Sequence, residues 1–299
     1  MPNTPTETTT GLETIAAAFA ATRRAGRAAL MPYYTLGYPD RDTSLDIIAA
    51  IAADSDLLEL GVPFSDPLAD GPTIQHSTQV ALESGTTLAG CLDMLHALRG
   101  RGVTTPVLLF GYYNPFLAYG LPALAAAARA AEAQGFIVPD LPPEEATDFE
   151  AAAAAEGLAL IHFLAPTSSP HRIETVTARA CGFIYLVSVT GVTGARAGLH
   201  ADLAGFIGRV RAQTGTPLAV GFGISTPEQA ATIGRLADGV IVGSALINAV
   251  DAAEDKPAAA AAPSKPAMKD IPPSAIPAAQ AAVAKAAAPA PKPAPAPPA

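Results

Sequence analysis

The stretch DLLELGVPFSDPLADGPTIQ, residues 56–75, decides how the rest of the chain is read. It opens as a strand in which Leu57, Leu58 and Leu60 surround one acid, Glu59, before Gly61 breaks the run. Successive strand side chains point to opposite faces, so Leu58 and Leu60 share one face and Leu57, Glu59 and Gly61 the other. One carboxylate therefore stands at the end of an otherwise apolar strand. The loop that follows, Val62 to Pro72, holds three prolines and two more acids, Asp66 and Asp70. Prolines fix φ and stiffen such a loop, which suits side chains that must be aimed. A desolvated carboxyl at a strand end with a second one eleven residues on makes an acid/base pair. A capped strand end followed by two solvated loop acids is the other reading of the same residues.

Outward from this stretch, short apolar runs recur with Ala-rich amphipathic segments between them. Strands are expected at 29–35, 56–61, 105–110, 135–139, 158–163, 182–188, 217–221 and 238–242. Helices are expected at 12–27, before the first strand, and then at 43–53, 75–99, 117–134, 143–156, 169–180, 200–212, 226–236 and 244–250. Eight β units alternating with eight α units over roughly 220–250 residues is the pattern of a (β/α)₈ TIM barrel, here with an extra N-terminal helix. A doubly wound open sheet is the runner-up, but no G-x-G-x-x-G follows the first strand.

The chain has 299 residues, and its composition divides it into three parts: a polar lead over 1–10, the barrel over 11–250, and an Ala/Pro/Lys tail over 251–299. The tail has no glycine or aromatic residue and only Met268, Ile271, Ile276 and Val283 as large apolar side chains. It cannot bury enough surface to fold alone, so a disordered, partly polyproline tail is expected. Residues 1–250 carry 13 Arg, no Lys and 23 acids, a net charge of −10, and the tail carries 5 Lys against 4 acids, a net +1. An acidic body without basic clusters argues against nucleic acid and anionic membranes as partners. Because the first lysine is Lys256, no body residue can form a Schiff base, which excludes a lysine-dependent aldolase unless the tail folds back. No apolar run approaches membrane length, and MPNTPTETTTG lacks a signal peptide's basic and apolar regions, so a cytoplasmic protein is expected. Cys91 and Cys181 read as small buried hydrophobes in a reducing compartment. The histidines at 76, 96, 162, 171 and 200 show no ligand spacing, so no metal site is expected.

Barrel active sites lie at the C-terminal ends of the strands. Those ends offer Thr35, Glu59, Tyr112 with Asn114, Asp140, Thr167, Tyr185, Gly221 to Gly223, and Gly243-Ser244. With Gly191-Val-Thr-Gly194, the last two form three glycine-rich turns. The turns after strands seven and eight are the usual phosphate site of this fold, with Ser244 expected to cap the final helix. Neither contains Lys or Arg, so a phosphate would be held by backbone N–H groups.

The segments PYYTLGYPD, LLELGVPFSDPLADGPTIQ, GYYNPF, VPDLPPEE, IYLVSVTGVTGAR, GFGIS and GSALI, in this order, resemble the tryptophan synthase alpha chain family over about Leu12 to Val250. The resemblance implies a lyase that cleaves indole-3-glycerol phosphate by a retro-aldol reaction to indole and glyceraldehyde 3-phosphate, without a cofactor. It implies Glu59 and Asp70 as catalytic residues, Tyr185 as the substrate-facing tyrosine and Thr193 as the mobile-loop threonine. Tyr112, Gly194, Gly221, Gly223, Gly243 and Ser244 complete the expected substrate contacts. It further implies a beta chain carrying pyridoxal phosphate, in a heterotetramer of two alpha and two beta chains, docked over Pro63–Pro72 and Gly191–Leu199. A stand-alone indole-releasing lyase, another phosphate-binding barrel, or a non-catalytic binding partner are the alternatives. Indole-glycerol phosphate synthase is set aside because it needs a catalytic lysine. One departure stands out: the family usually closes the barrel with an amphipathic helix after the GSA turn. Here either that helix is short or Ala278–Ala288 substitutes for it.

Overall fold

Eight parallel strands close on themselves in chain order, each followed by helix. The structure, a computed structural model, describes residues 9–188, 198–221, 223–224 and 226–258. The strands are β1 (Ala29–Thr35), β2 (Leu58–Gly61), β3 (Val107–Phe110), β4 (Gly135–Ile137), β5 (Ala159–Leu164), β6 (Ile184–Val187), β7 (Leu218–Gly221) and β8 (Gly239–Val242). Each pairs with the next in sequence, and β8 returns to β1, so the expected (β/α)₈ barrel is borne out and the open sheet is not. Strand side chains are almost all buried because one face fills the barrel and the other meets the helices.

The helices are α1 (Gly11–Arg24), α2 (Arg41–Ala52), α3 (Pro72–Glu83), α4 (Leu88–Gly100), α5 (Tyr113–Tyr119), α6 (Leu121–Ala130), α7 (Thr147–Ala155), α8 (Pro170–Arg179), α9 (Gly198–Arg211), α10 (Pro227–Gly234) and α11 (Ser244–Ala258). α1 opens with a capping box, Thr10 and Glu13 each bonding the other's backbone N–H. It lays Ile15 and Phe19 against Gly182, Phe183 and Gly239, where β6 and β8 begin.

Two segments expected as single helices divide. The 75–99 segment begins earlier, at Pro72, and breaks after Glu83, where Thr87 starts α4 by accepting the Gly90 N–H at 3.1 Å. The 117–134 segment breaks at Gly120, whose φ of 92° stops α5 and admits Pro122 in the first turn of α6. Within 143–156 a 3₁₀ turn, Pro143–Glu145, precedes α7. The last helix is not short: α11 runs to Ala258, past the change in composition at 251. Its own Leu246, Ile247 and Val250 are buried, and Tyr38, from the turn after β1, donates its hydroxyl proton to Asp251. Ala278–Ala288 lies outside the described residues.

At the N-terminal ends of several strands a polar side chain seals the barrel. Asp56 accepts the Leu30 N–H at 2.8 Å and both terminal nitrogens of Arg27, at 2.6 and 2.8 Å. Asp238 does the same before β8, accepting the Leu218 N–H at 2.9 Å and Arg211 Nη1 at 2.6 Å. Before β4, Gln134 Oε1 accepts the Val107 N–H at 2.5 Å, with Arg99 Nη2 at 3.3 Å. In each case an arginine from the helix before an odd-numbered strand, or in the turn just after that helix as Arg27 is, meets a residue immediately before the next strand.

Candidate active site

At the opposite end, where the strands finish, the polar groups are arranged differently. Glu59 is 0 % exposed, and neither of its carboxylate oxygens has a hydrogen-bond partner. Burial pushes its carboxyl well above the usual carboxylate range and so favours the protonated form. It lies on the barrel-facing side of β2, in register with Tyr33 on β1 and Leu108 on β3.

The loop from Val62 to Gly71 starts with the Val62 N–H bonded to the Phe110 carbonyl at 2.7 Å. It is then held by Tyr112, whose hydroxyl accepts the Ala69 N–H at 2.9 Å and donates to Asp70 Oδ2 at 3.0 Å. The Phe64 ring lies 5.4 Å from that of Tyr112. The two loop acids differ in setting. Asp66 is exposed and takes the Ser65 hydroxyl at 2.6 Å, whereas Asp70 is half-buried. Burial raises the Asp70 carboxyl to about 6, against an ordinary value of 3.8, and the Tyr112 bond pulls it back down. Asp70 is thus less firmly ionised than a polar loop alone would make it, though still charged at neutral pH.

A cavity of about 460 Å³ opens between Phe64, Leu68 and Ala69 on this loop and Tyr112, Asn114 and Asp140 on the next two. Asp140 accepts the Tyr113 N–H at 2.9 Å and so caps α5. Thr167 is exposed on the turn after β5.

Tyr185 is buried on β6 and stacks on Phe163, ring centroids 4.6 Å apart. Its hydroxyl sits over Gly221, where a Cβ would come within 2.1 Å of it. The small residue at the end of β7 is therefore required to seat Tyr185. A matching pair stands across the barrel: the Tyr33 hydroxyl lies over Gly61, again 2.1 Å from where a Cβ would be. Gly223 has a φ of 77°, a backbone that side chains rarely adopt. At Gly243 a Cβ would press on Tyr33 at 3.3 Å. Ser244 does not cap α11. The Gly243 carbonyl accepts the Leu246 and Ile247 N–H groups, so Gly243 holds the cap position and Ser244 is the first helical residue, its own N–H not needed by the helix. Thr193 and Gly194 lie outside the described residues.

The sequence reading missed Tyr33, naming Thr35 on the same strand instead. Tyr33 shares the inward face with Thr35, packs edge-on against Phe110 at 5.4 Å and faces glycines at the ends of both neighbouring strands. A large residue flanked on both sides by strand-end glycines is the signal that marks it. His162 turns outward, its Nε2 2.7 Å from Glu150 Oε1, and burial holds its imidazole below the ordinary range. Arg179 grips the same Glu150 at 2.9 and 2.6 Å, so this cluster ties β5 to α7 and α8. Among the described residues no group of three His, Cys, Asp or Glu gathers to hold a metal ion.

A closed parallel barrel whose strand ends surround a buried acid and glycine turns defines a (β/α)₈-barrel enzyme with its site at the C-terminal mouth. Residues 19–271 match the family described as tryptophan synthase alpha chain. The chain belongs to the tryptophan synthase alpha chain family. It is 55 % identical over 251 residues to the alpha chain of Chloroflexus aurantiacus, a span covering 83 % of this chain and 94 % of that relative. The Roseiflexus sp. alpha chain is 54 % identical over 240 residues, covering 80 % and 92 %. Among solved structures, tryptophan synthase of Mycobacterium tuberculosis superposes with a TM-score of 0.78 at 35 % identity, covering 91 % of this chain and 96 % of that one. The alpha subunit of Legionella pneumophila gives 0.79 at 34 %, covering 91 % and 96 %. The activity is accordingly that of a carbon–carbon lyase, which cleaves indole-3-glycerol phosphate to indole and glyceraldehyde 3-phosphate in tryptophan biosynthesis.

Proposed function

We propose that Glu59 is the general acid of this cleavage and Asp70 the carboxylate that balances charge on the ring. Glu59 gives its proton to the ring carbon bearing the glycerol chain, and the ring becomes cationic. Asp70, ionised above about pH 6, holds the ring N–H and stabilises that cation. The Glu59 carboxylate then takes the proton of the adjacent glycerol hydroxyl. As that C–O bond becomes a carbonyl, the carbon–carbon bond breaks and its electron pair returns to the ring, leaving neutral indole. The observation that carries this reading is the fully buried, unpartnered Glu59 carboxyl at the mouth of the barrel. Burial keeps it protonated, the form in which a general acid starts. The chemistry uses carboxyl groups alone and asks for no cofactor in this chain.

The rest of the substrate is assigned by shape and charge. Phosphate is held by backbone N–H groups of the Gly221–Gly223 and Gly243-Ser244 turns, with the free N–H groups of α11 behind them. The ring meets Tyr185 and Tyr112, and the resemblance adds Thr193 and Gly194 from the turn after β6. Anchoring the phosphate away from the reacting carbon supplies orientation.

Indole is apolar and small, so a second enzyme that consumes it gains from direct attachment. A beta chain carrying pyridoxal phosphate is the proposed partner, in an assembly of two alpha and two beta chains in the cytoplasm. Leu68, 91 % exposed on the loop beside the cavity, supports docking at the mouth. No helix among the described residues is long and apolar enough to cross a membrane, which is compatible with that location. The test is indole release by the full chain, alone and with added beta chain. A rise in kcat on addition supports the pairing, and cleavage that is fast alone and insensitive to beta chain makes this a stand-alone indole-releasing lyase.

A further inference from the structure

In the proposed reaction Glu59 must pass through its ionised form inside a barrel that excludes water, where an unpaired charge is costly. A donor has to be within reach when the proton leaves. The residue in register with Glu59 on the adjoining strand is Tyr33. Neighbouring strands lie about 4.8 Å apart, so paired side chains on one face stand side by side. The Tyr33 hydroxyl sits over Gly61, on the same inward face of β2 as Glu59.

The direction of the Tyr33 proton follows from counting hydroxyl protons. Ser77 donates to the Ile74 carbonyl at 2.9 Å, which uses its one proton. Thr35 and Ser77 are 2.7 Å apart, so Thr35 must be the donor there. Thr35 can then only accept from Tyr33, and that last link is 3.4 Å, too long to hold the proton firmly. The chain therefore ends in a phenol whose proton rests only weakly on Thr35. Desolvation, then the negative charge of Asp70, holds this phenol well above its ordinary range, so it stays a donor at any working pH. The other titratable groups facing this space are Tyr112 after β3, Tyr185 on β6 and Asp70 in the loop after β2.

We infer that the Tyr33 hydroxyl is a switchable donor to Glu59, resting on Thr35 while Glu59 carries its proton and turning to the carboxylate once that proton is on the substrate ring. The inference rests on the assignment of Glu59 as general acid. Tyr33 keeps its own proton throughout; only the Glu59 proton changes atoms, lost to the ring carbon and regained from the glycerol hydroxyl. Tyr33 is a positioning residue that acts through Glu59.

The experiment follows kcat and KM against pH for the full chain and for Tyr33→Phe, Thr35→Val and Glu59→Gln. Tyr33→Phe keeps the ring against Phe110 and is expected to melt as the wild type does. Its kcat falls by about 10- to 100-fold, the range for a hydrogen bond to a charged group, with KM nearly unchanged. Its alkaline limb, set by loss of the Glu59 proton, moves to higher pH because the group that favoured the carboxylate is gone. Thr35→Val removes the competing acceptor and moves the same limb to lower pH. A Tyr33→Phe variant with wild-type kcat and an unmoved limb overturns the inference, as do limbs that move the same way in both variants. Should Tyr33→Phe fail to fold, Thr35→Val decides alone, and an unmoved limb overturns. Wild-type turnover by Glu59→Gln would instead sink the general-acid assignment itself.

Discussion

The two ends of the barrel treat buried polar groups in opposite ways. Where the strands begin, Asp56 and Asp238 each bind an arginine and a strand N–H, and Gln134 takes the same place before β4. Among the described residues one group there is incompletely met, the buried Nε of Arg99. Where the strands finish, Glu59 has no partner and Asp70 has a single tyrosine hydroxyl to set against its burial. Met groups hold a fold together; unmet ones are available to a substrate. The difference separates stability from chemistry along one axis, as barrels of this kind do.

The sharpest way to break this division is Glu59→Gln. It keeps the shape of the side chain and removes the proton, so kcat should fall by about 10²–10⁴-fold while the melting curve stays close to wild type. A large loss of stability would show Glu59 to be structural after all.

Asp70→Asn should lower kcat by about 10²-fold and remove the acid limb. In the wild type that limb should fall near pH 6, since Asp70 must be ionised and its carboxyl sits at about 6. Linkage gives a second reading of the same group. Its folded value lies above the ordinary 3.8, so between the two the native state binds more protons than the unfolded chain, and Asp70 opposes stability as pH rises through that window. Urea titrations at pH 4 and 7 should show this slope lessened in Asp70→Asn.

At the other end, Asp56→Ala strands the Arg27 guanidinium and the Leu30 N–H. Loss of about 2–4 kcal/mol is expected in denaturant titration, with kcat per folded molecule unchanged. A fall in kcat without a fall in stability would erase the distinction between the ends. The smallest effect belongs to the last helix. A chain ending at Val250 loses the Tyr38–Asp251 bond and should be less stable by about 1–2 kcal/mol, whereas one ending at Ala258 should be indistinguishable from full length. Equal stability of the two truncations would show that the second half of α11 holds nothing.

The fold was legible because each apolar run is short, punctuated and followed by an amphipathic segment, and because the family segments recur in order. Glu59 was legible as the lone acid of a leucine strand. What escaped the sequence were contacts between elements. Nothing local says that Tyr112 holds Asp70, that Gly221 is small to seat Tyr185, or that Tyr33 stands beside Glu59. The extent of α11 was misjudged for a related reason. Ala-rich composition past Asp251 gives no amphipathic pattern, and the helix is tied instead by one carboxylate to a tyrosine over two hundred residues earlier. Divisions at Ser84–Thr87 and Gly120 were blurred by alanine and leucine on both sides of each break.

The arginine seals at the strand starts join the strands two by two: β1 with β2, β3 with β4, β7 with β8. A cut in the chain between Glu83 and Leu88 leaves Arg27 with Asp56 on one fragment and Arg99 with Gln134 on the other. A cut within α2 parts Arg27 from Asp56. Three of the four successive strand pairs thus carry their own fastening, and for those the places where the chain can be divided and still find its way back into one body lie between pairs rather than within them.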